Sequence, residues 1–254
     1  MITYKELNLM SFERLNSEGI ISFFTLKPYN FRKTQLTPDE INRNYEKIER
    51  DLDVKLGKII KPIQTHTNIV RVVDEDNIND TFDNVDGLIT NLKNVSLVTS
   101  LADCQGILLY DSKKQVIGNV HSGWKGTLGR IIENAINLMV ETYNSNPSDI
   151  EAYINPSILK CCFEVDEDVA LSFKKEFQDI KTDDLISIGS YKEGIQKYYI
   201  DTVEINKRVM MKLGLKEENI ILSNICSKCN SNIIHSYRKD GIDSGRNVSL
   251  ICME

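Results

Sequence analysis

Apolar positions along this chain follow two rhythms, and the rhythm changes where the elements change. Short apolar or β-branched runs at 20–26, 59–65, 69–73, 95–101, 116–120, 150–154, 198–200, 220–222 and 248–252 read as β-strands. Further on, Leu128, Ile131, Ile132, Ala135, Ile136, Met139 and Val140 repeat at i, i+3, i+4 and i+7, which is the face of an amphipathic helix. The stretch 99–143 therefore reads strand, turn, strand, glycine-rich loop, helix. Cys104 lies at the end of its first strand and His121 at the end of its second, and the helix start points back at both. If those two strands are neighbours, thiol and imidazole meet at one sheet end.

Punctuation residues place the other helices. Thr37-Pro38-Asp39-Glu40 opens one, with Thr37 as N-cap, proline at the first helical position and acids in the first turn, running to about Leu52. A second spans 166–177. A third starts at Asp201 and is stopped after Leu213 by Gly214. The residues 64–68 form a turn that carries His66, 27–35 form a polar loop with Tyr29, Arg32 and Lys33, and 178–196 read as loop and hairpin. Strands and helices interleave without a strict βαβ rhythm and without internal repeats. The expected fold is therefore α+β, a mixed-sheet α/β arrangement with helices flanking central sheets, in one domain spanning 1–254.

Composition narrows the function. With 254 residues, 41% of them apolar, the chain can bury a sizeable core. No run approaches the roughly 18 apolar residues of a membrane span, and the opening MITYKELNLMSF lacks the basic-then-apolar order of a signal peptide. A cytoplasmic protein that binds no membrane is the expectation. The net charge of −6 comes from well-mixed acids and bases, which argues against a nucleic-acid surface and for a small-molecule partner. Six cysteines without an export signal read as free thiols or metal ligands rather than a disulfide frame, and only three histidines exist.

His66, Cys104 and His121 make a His2Cys set. Three ligands with an open fourth position is the arrangement of a catalytic zinc. The spacing alone equally fits three unrelated strand-end residues, or a Cys104 nucleophile with His121 as its base. The loop His121-Ser122-Gly123-Trp124-Lys125-Gly126 at a helix start offers N–H groups and a lysine to an anion, although small residues also serve tight packing there. Trp124 suits a flat ring or the core. Cys226-Ser227-Lys228-Cys229 fits a redox pair or half of a structural zinc site with Cys161 and Cys162, but a single such pair is a weak signal and unlinked thiols are the plainer reading. Tyr237, Arg238, Lys239 and Arg246 form a basic cluster that is either a binding wall or a solvated face.

Taken together, Gln64-Thr65-His66, Ala102-Asp103-Cys104, His121 to Gly126, Cys161-Cys162-Phe163-Glu164-Val165, Cys226 to Cys229, Ser236 to Gly241, and Gly245-Arg246 resemble the YfiH/YlmD-like family, also called the laccase-domain or multicopper polyphenol oxidase family. Asn42-Arg43 resembles its earlier Asn-Arg pair. Departures from the family pattern are Ser122 for alanine, Lys125 for arginine, Asn155-Pro156 for Gly-Pro, and an N-terminal region with Phe23-Phe24-Thr25 and Tyr29 to Arg32 where a glycine-containing strand and a Ser-Leu-Asn loop are usual. The resemblance implies that His66, Cys104 and His121 are zinc ligands. It also implies purine nucleoside phosphorolysis on adenosine, inosine and guanosine, with adenosine deamination as a second activity and phosphate as co-substrate. Candidate substrate contacts are then Arg43, Gln64, Lys125, Tyr237, Arg238 and Arg246, and Asp103 is the candidate proton carrier, because the position two after His66, where nucleoside deaminases place a glutamate, is Asn68.

Other readings stay in view. A His2Cys set also suits copper, but a laccase needs many more histidines than three. Hydrolytic editing of a cell-wall precursor, with Cys104 or zinc-bound water attacking an amide, is suggested by relatives. A zinc-held binding module without turnover is the non-enzymatic alternative.

Overall fold

The computed structural model describes residues 2–16 and 19–254, so Met1, Ser17 and Glu18 of the expected 1–254 unit lie outside the described residues. Two six-stranded mixed sheets and one small antiparallel sheet carry the strands. In the first sheet the spatial order is Ile2–Tyr4, Leu9–Ser11, Ile20–Thr25, Asn247–Met253, Val95–Leu101 and Lys58–Ile60. In the second it is Ile220–Leu222, Ile150–Ile154, Gln105–Asp111, Val116–Ser122, Gly87–Thr90 and Val70–Val72. The third holds Glu164–Asp166, Ile195–Ile200 and Ile186–Lys192.

Side-chain alternation builds the layers. Leu108, Tyr110 and Ile117 of the second sheet meet Leu97 and Ile251 of the first in one cluster. Ile107, Leu109 and Val120 project the other way, onto Ile132, Ala135, Ile136 and Met139 of the helix Ile131–Tyr143. Across the first sheet, Phe23, Val98 and Leu250 pack on Tyr45 and Ile48 of the helix Pro38–Leu52. The order is helix, sheet, sheet, helices. Both sheets are thus covered on both faces, which is why their long strands are buried at nearly every position and do not alternate between apolar and polar. Two asparagines tie the sheets together: Asn119 donates to the carbonyls of Leu97 (2.8 Å) and Ser249 (2.9 Å) and accepts from Thr99 Oγ1 (2.9 Å), and Asn155 donates to the Gly106 carbonyl (3.1 Å) and to Ser249 Oγ (2.8 Å).

Local signals work as expected at Thr37, which forms a full capping box with Glu40, and at Asp201, whose carboxylate accepts from the Glu204 N–H. The hairpin turns at Glu193 and Gly194, both at positive φ, but its second strand begins at Ile195 rather than Tyr198. Three expectations change. The runs 59–65 and 69–73 shrink to three-residue edge strands in different sheets, and Pro62, which has no N–H, sits inside the first. The expected single helix is two: Trp124–Leu128 ends at Gly129, and Ile131–Tyr143 starts after Arg130, which has φ +57° and ion-pairs to Glu133, Glu176 and Asp179. Finally, the strands carrying the Cys104 and His121 ends are not neighbours, since they lie in different sheets.

Candidate active site

The cysteine reaches the histidine by another route. Cys104 immediately precedes the strand Gln105–Asp111, which pairs antiparallel with Val116–Ser122 in the register Gln105 to Ser122 and Gly106 to His121. The sheet end therefore places Cys104 next to His121. His66 arrives from the turn between the two edge strands. The donor atoms of His66, Cys104 and His121 lie within 4.8 Å of one another, and the two imidazoles meet edge to face at 4.9 Å between centroids.

Asp86, fully buried just before the strand Gly87–Thr90, holds this group together. Its carboxylate accepts from the backbone N–H groups of Thr65 (3.3 Å), His66 (3.1 Å) and Thr67 (2.7 Å), from Thr67 Oγ1 (2.8 Å) and from His121 Nδ1 (2.7 Å). One carboxylate thus folds the turn that presents His66 and fixes the ring of His121. With Nδ1 committed to Asp86, Nε2 of His121 is the nitrogen left for a ligand, the arrangement that orients metal-binding histidines.

The charges are strongly coupled. Burial pushes the Cys104 thiol up, but the charge of His121 and hydrogen bonds from both imidazoles outweigh it and bring the thiol down to about 6. Burial opposes charge on His121, yet the Cys104 thiolate and the Asp86 carboxylate raise it to about 9. For Asp86, burial is likewise overcome by the bonds from His121 and Thr67, and its pKa falls to about 2. A thiolate beside an imidazolium is a ready exchange site, because a divalent cation displaces the imidazolium proton and keeps the thiolate. The donor set, the separations and the Asp86 support all fit a metal ion.

Gly123 lines the same space. A Cβ built there lies 2.8 Å from His66 Cδ2 and 3.1 Å from Cys104 Sγ, while its φ of −73° suits any residue. Gly123→Ala should therefore act on the ligands and not on the backbone. An overpacking cost of about 1–3 kcal/mol corresponds to roughly five- to 150-fold weaker metal binding, measured by competition with a chromogenic chelator. Unchanged affinity would show that the ligands do not converge as described.

The cluster lies at a wall of a cavity of about 900 Å³. Phe31, Trp124, Phe163 and Tyr237 offer it aromatic surface, and Arg32, Lys33, Lys61, Arg238 and Arg246 line it against a single carboxylate, Asp103. None of these five cations has an ion-pair partner among the described residues. Burial, with the charges of Lys33 and Arg246, pulls Lys61 down to about 8. Burial and the charge of Arg32 lower Arg246 as well.

Of the residues singled out from sequence, Gln64, Asp103, Tyr237, Arg238 and Arg246 line the cavity with the three-residue cluster. Arg43 and Lys125 do not: both are exposed, and Lys125 lies over the Trp124 ring with Nζ 5.6 Å from its centroid. The polar ends of Gln64 are engaged by Ser100, whose N–H donates to Oε1 (2.8 Å) and whose carbonyl accepts from Nε2 (3.1 Å). Asp103 accepts from Ser227 Oγ and from the Arg238 N–H, each at 2.6 Å. Trp124 both packs against the core and lines the cavity. Asp86, Arg32, Lys33 and Lys61 were not singled out as site residues from the sequence, although a lysine inside the apolar run 59–65 was a visible anomaly.

A family model described as multi-copper polyphenol oxidoreductase laccase matches residues 25–254. Purine nucleoside phosphorylase YlmD of Bacillus subtilis is 30% identical over 94% of this chain and 90% of its own. Adenosine deaminase RL5, from an unknown prokaryotic organism, is 33% identical over 79% and 77%. The crystal structure of the Bacillus licheniformis hypothetical protein YfiH superposes with a TM-score of 0.88, covering 99% of this chain and 98% of that one at 24% identity.

Proposed function

Because the chain belongs to the multi-copper polyphenol oxidoreductase laccase family, we propose that it is a zinc-dependent purine nucleoside phosphorylase acting on adenosine, inosine and guanosine, with adenosine deamination as a second activity. The observation that carries this reading is a cavity with aromatic walls and five unpaired cations beside a His2Cys cluster. Aromatic faces suit a purine. Cations without acidic partners suit an anion, and phosphate is the anion of phosphorolysis. The names of the relatives point the same way. The cavity also favours turnover over a zinc-held binding module. Copper oxidation of phenols fits poorly, since His235, the remaining histidine, bonds through Nε2 to the Tyr29 carbonyl at 2.9 Å.

In phosphorolysis an oxygen of hydrogen phosphate attacks C1′ of the ribose as the bond from C1′ to the purine breaks, and the purine leaves with that electron pair and takes up, in the net reaction, the proton that the phosphate loses. Lys61, Lys33 and Arg246 bind and orient the phosphate. Trp124, Phe163 and Tyr237 hold the base and exclude water from it. In deamination, water replaces the amino group and ammonia departs; Asp103 is the proton carrier, its carboxylate fixed by Ser227 and Arg238 with acceptor capacity to spare. A zinc ion held by His66, Cys104 and His121 would supply Lewis acidity at the same wall.

The test is one adenosine reaction resolved with and without phosphate. Adenine and ribose 1-phosphate should form only with phosphate, and inosine in both cases. No product from adenosine, inosine or guanosine with metal-loaded enzyme would overturn the proposal. Lys61→Ala removes one charge-assisted contact of about 1.5–3 kcal/mol, so phosphate affinity should fall about tenfold to 150-fold while inosine formation persists. Lys125→Ala, outside the cavity lining, should change it by less than about threefold. Lys61 is charged only below about 8, so phosphate use should weaken as pH rises past that value, and the Lys61→Ala profile should lose this limb. Equal loss of both products in Lys61→Ala would remove the phosphate assignment.

A further inference from the structure

Four of the six cysteines gather away from the cavity cluster. The strands Ile150–Ile154 and Ile220–Leu222 are parallel neighbours, so the loops leaving their ends run side by side, joined by a bridge between Ser157 and Cys226. One loop carries Cys161 and Cys162, the other Cys226 and Cys229. Their four sulfurs lie within 4.8 Å of one another. Three separations are 3.7 Å (Cys161 to Cys162), 3.9 Å (Cys161 to Cys229) and 3.5 Å (Cys162 to Cys229).

A tetrahedron with metal–sulfur bonds of about 2.3 Å has edges of about 3.8 Å. A disulfide would need about 2.05 Å, whereas the three separations among Cys161, Cys162 and Cys229 all lie near the tetrahedral edge and Cys226 Sγ lies within 4.8 Å of each. Cys-x-x-Cys is the usual spacing of one half of a structural zinc site. We propose that Cys161, Cys162, Cys226 and Cys229 bind a second zinc ion as a closed four-thiolate site. Four protein ligands leave no position for substrate, so this ion is structural.

Its place says what it braces. Ser227, between the paired cysteines, donates to Asp103, and the guanidinium of Arg238 donates to the carbonyls of Cys162 (3.1 Å) and Glu164 (3.0 Å). The metal thus clamps the two loops against which Asp103 and Arg238 rest. The four-thiolate ion is independent of nucleoside turnover, and metal content, spectrum and thiol reactivity report on it directly.

The purified full-length protein should contain two zinc ions per chain, Cys104→Ala one, and Cys229→Ser one, with the ion at His66, Cys104 and His121 retained in the last. Metal-free protein refilled with Co²⁺ should show the intense sulfur-to-metal charge-transfer bands of a four-thiolate centre. Those bands should persist in Cys104→Ala and disappear in Cys229→Ser. If Cys229→Ser does not fold, the wild-type protein still decides: four thiols should resist a thiol reagent until a chelator is added. A single zinc that Cys104→Ala removes, no four-thiolate cobalt spectrum in Cys104→Ala, or four cluster thiols that react at once in the zinc-saturated protein would each overturn the proposal. So would a disulfide among the four in protein purified under reducing conditions.

Discussion

Cys104→Ala should eliminate metal binding at the His66, Cys104 and His121 centre and nucleoside turnover with it, leaving the metal of the four-cysteine cluster in place. Cys104 is the only anionic donor of the three, and at neutral pH its thiol is already ionised, the charge of His121 having offset the effect of burial. Two imidazoles remain after the substitution, and His121 has lost the thiolate whose charge and hydrogen bond helped to raise it. Removing an outer partner of a metal ligand costs about 10- to 100-fold in affinity or activity, so removing the charged ligand itself should exceed that. The side chain is small and only partly buried, so the fold should survive. Metal content, circular dichroism and turnover on one preparation decide the matter. A folded variant with its metal complement intact and near-normal turnover would end the assignment of this centre.

Asp86→Ala should be the most destabilising change in the site. It strips the acceptor from three backbone N–H groups, a hydroxyl and an imidazole in a fully buried position. Removing one partner of a buried ion pair costs about 3–5 kcal/mol. Because the Asp86 pKa is lowered on folding to about 2, its contribution is complete above the ordinary carboxylate value and is lost as pH falls towards 2. The gap in denaturation midpoint between wild type and variant should therefore be widest at pH 7, smaller at pH 3 and smallest near pH 2. Asp86→Asn keeps a carbonyl acceptor and should mainly weaken metal binding, by about 10- to 100-fold. An Asp86→Ala protein of wild-type stability at pH 7 would contradict the role given to this carboxylate.

How much of this was legible in the sequence depends on the range of the interaction. The long strands were visible because both sheets are buried on both faces, so apolar and β-branched residues dominate Val95–Leu101, Val116–Ser122 and Ile150–Ile154 on both sides, with only a few buried polar side chains among them. The caps at Thr37 and Asp201 were visible because a cap is a local bond. The break at Gly129 and Arg130 was hidden, since Leu128 continues the apolar period across it and the ion pairs that hold Arg130 come from the helix end near Glu176. Asp86 left no pattern because its partners lie about twenty to thirty-five residues away and on both sides of it. Lys61 reads as a strand residue, and only the fold brings it to the same cavity as Lys33 and Arg246, whose charges act on it. The four cysteines were named together from the sequence as one reading beside unlinked thiols, and it took the parallel pairing of two strands far apart in the chain to bring them into one cluster.

His66 occupies left-handed backbone space, with φ at +64°. For a residue with a Cβ this conformation costs about 1–2 kcal/mol, held here by the bonds from the 65–67 turn to Asp86. Glycine would sit there without strain, and asparagine with less, but neither brings an imidazole. Thermostability engineering of this chain would thus meet a conflict at one codon: the substitutions that relax the backbone are the ones that disarm the protein. Selection for heat resistance alone should drift away from histidine at position 66, and a variant that keeps it must find its extra stability elsewhere.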